Sequence, residues 1–470
     1  MTDASRTETA EPPTGALKRC ISGPLLYFYV LGDVLGSGIY VLIGSVAAAV
    51  GGAFWLAFAA GVAIATITGM AYAELVTRYP RAAGAALFVH KAFRRPVLTF
   101  LITICMLSAS FAAAGSLATG FARYFGQVWA LPPGLLVALL FILALCVINF
   151  IGITESVVAN MIMTFVEIIG LAIILLIGII HVAGGNAQFG VLTDFNAEGN
   201  PIFALLAGIA LAFFAMTGFE NAANVAEETV NPRVNFPRAL IGGLLTAGVI
   251  YVLVAVTAAL VVPTDVLGDS PAALLEVVRA GILPAPVGIL VIAFAIIAMV
   301  AITNTTLVAV VTEARILFGM GREGVVPRIF ARLHASRRSP WVGLVFSGLV
   351  VGSLLVIGQL VMAVNPELDL VDRLATVTVV FTLVIYGLVI VAAFKLRGSD
   401  THTDTYRAPT ALLVLGILGN LALLGYVVAD DPESLVWAAG LLGIGVVLYL
   451  VSRLTSGSDP MKAYDADTDT

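Results

Sequence analysis

About twelve apolar stretches, each long enough to cross a bilayer, recur along almost the whole chain, and this recurrence limits the fold more than any other feature. They occupy residues 24–50, 54–76, 97–125, 134–150, 157–183, 202–225, 239–262, 287–319, 341–361, 374–394, 411–428 and 435–451. A helix rises about 1.5 Å per residue, so roughly 20 residues cross the hydrocarbon layer. Of 470 residues, 60% are hydrophobic and 11% charged. A soluble core has no room for that much apolar surface, so the lipid bilayer itself is the partner of these segments.

Positive charge tests the count independently, because Lys and Arg collect near helix ends on the cytoplasmic side. Twelve spans with both termini inside place Lys18 and Arg19 on the cytoplasmic face, together with the clusters between Arg78 and Arg95, Arg233 and Arg238, Arg322 and Arg338, Lys395 and Arg407, and Arg453. Arg123, Arg279 and Arg373 fall on the other face. One miscounted helix in the middle would reverse everything after it and scatter the clusters. The expectation is a multi-pass plasma-membrane protein, with a membrane domain over 21–453 between disordered cytoplasmic ends at 1–20 and 454–470. The first apolar stretch begins late and is too long for a cleaved signal, so it reads as a retained helix.

Other chemistries find little support. Cys20, Cys105 and Cys146 are isolated, and His90, His181, His334 and His402 lack metal-ligand spacing or a nucleophile motif, so no metal, cofactor or enzymatic reaction is implied. The formal net charge of −5 sits partly in the acidic ends, and nucleic acid is not implied. Oligomeric state is not legible.

Two spans carry residues that a plain membrane helix avoids. The first reads Gly32-Asp33-Val34-Leu35-Gly36-Ser37-Gly38-Ile39-Tyr40, with two glycines and a serine near mid-membrane. Glycine costs about 1 kcal/mol against alanine in a helix interior and frees the backbone to unwind. In lipid, unwound backbone survives only where protein, water or a ligand meets its amides, so a break here marks a binding site; close packing of two helices is the other reading. The sixth span reads Phe213-Phe214-Ala215-Met216-Thr217-Gly218-Phe219-Glu220-Asn221. An ionisable side chain at that depth costs about 2.5–3.5 kcal/mol unless it finds partners. Breaks in spans 1 and 6 are what two inverted five-helix repeats would produce, with a substrate held between them.

Four motifs in order then resemble the amino acid, polyamine and organocation permease family from Pro24 to about Arg453. Gly36-Ser37-Gly38-Ile39 is similar to its first-helix break, and Phe214 to Glu220 to its sixth-helix break, followed by Asn231-Pro232 and Phe236-Pro237-Arg238. Tyr72-Ala73-Glu74-Leu75 with Pro80 and Gly84 resembles its second-helix exit and cytoplasmic loop. Gly319-Met320-Gly321-Arg322-Glu323-Gly324 with Pro327 resembles the loop after its eighth helix.

The resemblance implies an all-α membrane protein of about 12 helices: a five-plus-five inverted repeat with helices 1 and 6 broken, then two C-terminal helices, working by alternating access. It also implies that the amides of Ser37, Gly38 and Ile39 receive a substrate carboxylate, consistent with a half-helix start favouring negative charge. Carbonyls around Phe213, Phe214 and Met216 would take the amino group, beside Gly218, and Phe214 would act as an aromatic gate. Two departures stand out. Glu167 lies where some proton-coupled relatives carry lysine, and Ala86 where many carry an aromatic.

Asp33 and Glu167 are candidates for proton coupling, with permanently bonded structural carboxyls as the alternative. Thr303, Asn304, Thr305 and Thr306 offer hard oxygens for sodium, against the commoner habit of hydroxyls bonding back to their own helix. The first-helix amides favour an amino acid over a simple amine or polyamine; Glu220 is either a selector of cationic substrate or an anchor of the broken helix. Carrier, exchanger, channel and sensor share the scaffold, and the short ends count against a sensor.

Overall fold

The computed structural model describes residues 21–80, 84–151, 157–196, 200–337, 339–399 and 405–456. The head 1–20, the tail from 457, and Arg81, Arg338 and His402 lie outside the described residues. Helix accounts for nearly all of it, and among the described residues twelve helical segments are long and apolar enough to cross a membrane. We number them spans 1 to 12: Gly23–Val50, Gly52–Arg78, Pro96–Val128, Gly134–Ile151, Asn160–Ala183, Pro201–Glu228, Pro232–Val261, Val287–Glu323, Trp341–Val364, Leu370–Leu396, Thr410–Asp430 and Pro432–Thr455. Helices satisfy their own backbone, which is what lipid demands.

Span 1 is the most enclosed, with 83% of its apolar window buried against 28% for spans 4, 11 and 12, so the former is central and the latter face lipid. Span 1 packs through its first half on span 7 and through its second half on span 6. Span 2 lies on span 7, span 3 on spans 8 and 10, and span 4 on span 9.

Several segments expected to be loop are helical. Span 8 runs through Gly319–Arg322 to Glu323, because Gly321 packs on the backbone of Ala331 and Gly324, at φ +76°, closes the helix by donating to Gly321 O and Met320 O. Span 7 starts at Pro232 rather than 239: the proline fits a first helical position, and Asn231 in the left-handed region turns the chain into it. Between spans 2 and 3, Gly84–Phe93 is a short helix against spans 3 and 10. Span 12 continues to Ser456, past the expected end of the membrane domain.

The three arginines left on the less basic face are each ion-paired: Arg123 with Asp369 at 2.6 Å, Arg279 with Glu276 at 2.7 Å, and Arg373 with Asp431 and, at 3.0 Å, Glu433. At the other end, buried Glu74 accepts from Nε of Arg397 at 2.8 Å and from its Nη2 at 2.7 Å, from Arg78 at 2.8 Å, and from the Ala408 amide at 2.9 Å. That bond holds the Arg397 guanidinium above its usual pKa range and ties span 2 to the segment joining spans 10 and 11.

Candidate functional site

Span 1 breaks at Gly36, between helices Gly23–Leu35 and Ser37–Val50. Gly36 has no side chain to cap the second helix; instead Thr305 Oγ1 of span 8 accepts from the Ser37 amide at 3.2 Å. Span 6 is α-helical to Ala215, turns through Met216–Gly218, and resumes as a 3₁₀ segment over Phe219–Glu228. Gly218 sits at φ +115°, a conformation L side chains rarely adopt. Its amide donates to Glu220 Oε2 at 2.9 Å, and Tyr386 of span 10 donates to the same oxygen at 2.7 Å.

The two breaks meet. A Cβ on Gly38 would lie 2.3 Å from Ala215 Cα, and one on Gly218 would lie 2.8 Å from Asp33 O, so glycine is what lets the half-helices touch. Tyr251 of span 7 serves both at once: its hydroxyl donates to Val34 O, with Ala215 O 3.4 Å away as a second acceptor. Helix ends leave carbonyls without partners, and here one buried tyrosine meets one from each broken span.

Beside this junction is a cavity enclosing about 740 Å³ of empty space including its open mouth. Asp33, Thr217, Gly218, Glu220 and Thr305 border it, with Tyr72, Ser110, Asn221, Thr312, Thr378, Thr382 and Tyr386. Met106, Ala109, Ala113, Leu117, Ile316 and Ile385 make the apolar part of the wall. Among the described residues, no lysine or arginine borders it. Asp33 is 3% exposed; its Oδ2 accepts from Asn221 Nδ2 at 3.1 Å, while Oδ1 has no hydrogen-bond partner among the described residues.

The other expected site residues lie behind this wall. Ser37, Gly38 and Ile39 are buried at the junction, and Phe213, Phe214 and Met216 pack in the core. Phe213 O accepts the Met216 amide at 3.0 Å, and Phe214 O accepts the Thr217 amide at 3.1 Å and the Thr217 hydroxyl at 2.7 Å, so those carbonyls are occupied in this conformation. Thr303 and Thr306 donate to Met299 O and Ile302 O of their own helix, each at 2.7 Å. Asn304 instead links two spans: it donates to Glu167 Oε1 at 3.0 Å and accepts from Asn160 at 3.2 Å. Tyr40 donates to the Glu167 carbonyl at 3.0 Å, continuing this polar chain into span 1.

The family model described as amino acid permease matches residues 22–450. The chain belongs to that family. Among its relatives, a branched-chain amino acid permease of Bacillus subtilis is 25% identical over 464 residues, covering 93% of each chain. A chloroplastic cationic amino acid transporter of Arabidopsis thaliana is 26% identical over 65% of this chain, which spans 55% of that relative's length. A methylthioribose transporter of Bacillus subtilis is 27% identical over 74% of this chain and 77% of its own.

The junction and the cavity also involve residues that the sequence does not single out. Tyr251 and Tyr386 carry bonds that hold the breaks, and Ser110, Thr312 and Thr378 border the cavity. A lone tyrosine or threonine in an apolar helix gives no signal by itself. What identifies Tyr251 is its register opposite two carbonyls that are 181 residues apart in sequence, which only the packing of spans 1, 6 and 7 creates.

Proposed function

We propose that the protein is a secondary transporter that moves an amino acid across the plasma membrane by alternating access. The observation that carries this reading is the contact of two broken spans beside a polar cavity bordered by Asp33, Gly218, Glu220 and Thr305. The substrate's ammonium group sits at Oδ1 of Asp33, which has no partner among the described residues, in a wall with no lysine or arginine among them. Its carboxylate takes the amides at the start of the second half-helix, Ser37 to Ile39, once the Gly38–Ala215 contact loosens. The named permease and cationic amino acid transporter relatives support an amino acid as cargo.

Spans 1–5 and 6–10 read as the two inverted repeats, a reading supported by the pairing of spans 1 with 6, 2 with 7, 3 with 8 and 4 with 9. Both termini and the arginine-rich connections are cytoplasmic. The cavity wall extends to Ile316 late in span 8 and Tyr72 late in span 2, toward that basic end. The opposite end is latched by Arg123–Asp369 and by Ser45 Oγ donating to Asp372 at 2.7 Å. This is an inward-facing arrangement.

Uptake and counterflow in proteoliposomes, against a panel of amino acids and amines with proton and sodium gradients varied separately, test the reading. Saturable exchange of at least one amino acid is expected, and D33N should weaken it. Non-saturating conductance would point to a channel and overturn it. The two carboxyls on the cavity wall favour one second reading, a simple amine carrier, which predicts that putrescine exchanges where amino acids do not.

A further inference from the structure

Glu313, in span 8, is fully buried and takes no part in the site described above. Among the described residues, neither of its carboxyl oxygens has a hydrogen-bond partner and no ion pair reaches it. The hydroxyls of Ser110 on span 3 and Ser347 on span 9 face it without completing a bond, and Ser347 Oγ is itself buried and unpartnered. Two unpartnered polar side chains side by side inside a membrane protein are a costly arrangement to maintain for packing alone.

From this geometry we infer that Glu313, with Ser110 and Ser347, is a proton-binding site beside the substrate cavity, loaded and emptied once per transport cycle. The inference rests on the transporter reading above. A carboxylate without donors has nothing to replace its lost water, so a cation must accompany its charge whenever it forms. The surroundings choose the cation. Val310 and Ala314, on either side of Glu313 in span 8, pack with Leu344 of span 9 in an apolar cluster, and a carboxyl with two hydroxyls supplies fewer oxygens than the six or so that hard metal ions collect.

The route is also present. Ser110 borders the cavity, as do Ala309, Thr312 and Ile316, which flank Glu313 on the same helix face. The Ser110 hydroxyl now donates to Ala309 O at 3.2 Å, and a change of its side-chain rotamer about Cα–Cβ is the movement that carries it to Glu313. A hydronium in the cavity gives a proton to Ser110 Oγ as Ser110 gives its own to Glu313. Hydronium becomes water, the carboxylate becomes a carboxylic acid, and the serine is unchanged. Discharge reverses these steps.

Ionisable groups on the elements packed against span 8 include Cys105 and Arg123 on span 3, Cys146 on span 4, Glu167 and His181 on span 5, and Tyr40 on span 1. Glu276 and Arg279 precede span 8 and Arg328 follows it; spans 9 and 8 add none and Arg315, Arg322 and Glu323 respectively. Of these, Cys146 is the one on which a charge at Glu313 acts, and Arg315 is exposed.

The test uses the full chain in proteoliposomes with a pH-sensitive dye trapped inside, and labelled leucine, or arginine where leucine is not accepted, as probe. Wild type should acidify the lumen on uptake and exchange the label in counterflow. E313Q should keep counterflow and lose acidification, down to the level of empty vesicles. Acidification that survives E313Q overturns the inference, as does uptake in wild type that follows sodium and moves no protons. Should E313Q not fold, S347A decides: slower acidification at unchanged counterflow supports the site, and unchanged acidification overturns it. Absence of counterflow for both probes in wild type would instead count against the transporter reading.

Discussion

Glu220 is either a selector of cationic cargo or the anchor of the broken sixth span, and a double-mutant cycle with Tyr386 separates the two. In the structure Glu220 Oε2 collects Gly218 N at 2.9 Å and Tyr386 Oη at 2.7 Å. Interhelical hydrogen bonds inside membranes contribute about 0.6 kcal/mol on average and up to ~1.7 kcal/mol, and a carboxylate acceptor puts this one near the upper value. Y386F should therefore cost about 1.5 kcal/mol. E220A leaves two buried donors without an acceptor, at about 1–3 kcal/mol each, so a loss of roughly 2–6 kcal/mol is expected. In the E220A background the tyrosine hydroxyl is already orphaned, and Y386F then removes a burden instead of a bond. The double variant should be no less stable than E220A alone, giving a coupling energy of about 1.5 kcal/mol or more. Equilibrium unfolding in mixed micelles, followed by circular dichroism, measures all four proteins. Penalties that add to within about 0.5 kcal/mol would refute the anchor argument. A selector would show itself differently, as E220Q altering arginine counterflow and sparing leucine.

Three further outcomes follow from the same geometry. T305V removes the acceptor of the buried Ser37 amide and should cost about 1–3 kcal/mol in unfolding, whereas T303V and T306V, whose hydroxyls bond their own helix, should stay within about 0.5 kcal/mol and leave sodium-free uptake unchanged. G38V drives a side chain into the Ala215 backbone and should cost about 1–3 kcal/mol and abolish uptake, read by unfolding and transport on the same preparation. R397A strips buried Glu74 of its bidentate partner and should cost about 3–5 kcal/mol, seen as loss of the monodisperse peak in size-exclusion chromatography; R397K should rescue poorly, since lysine cannot reproduce the fork.

The twelve spans were legible because hydropathy at bilayer length is a sum over many residues and tolerates local error. The breaks were legible for a different reason: glycine and glutamate at mid-membrane are costly enough that each needs a local cause, and Gly36 and Gly218 each sit at one. Asn231-Pro232 and Gly319–Glu323 were misread as loop because proline and glycine are ambiguous signals. Proline opens a helix as readily as it ends one, and Gly321 is there for contact with Ala331 instead of a turn. The cavity wall was mostly illegible. Ser110, Thr312 and Thr378 are ordinary polar residues whose side of the helix matters only once spans 3, 8 and 10 are set against one another.

The same limit explains why the carboxyls inside the spans looked alike and turn out to be different. Glu74 spends its oxygens on two arginines and an amide, and Glu220 Oε2 serves a tyrosine and an amide. Both hold parts of the backbone in place, and a carboxylate so bonded has little freedom to exchange partners during a cycle. Asp33, Glu167 and Glu313 each keep at least one buried oxygen without a partner among the described residues. An unmet acceptor is tolerated where something arrives to meet it, and these three lie around spans 1, 5 and 8, whose contacts must change if the site is to open to either side. Glu167 is the intermediate case, because Asn304 occupies one oxygen and links it to Asn160. Those bonds tie span 8 to span 5. In the reading proposed above, Asp33 in the cavity wall then takes the cargo and Glu313, beside that wall, takes the proton.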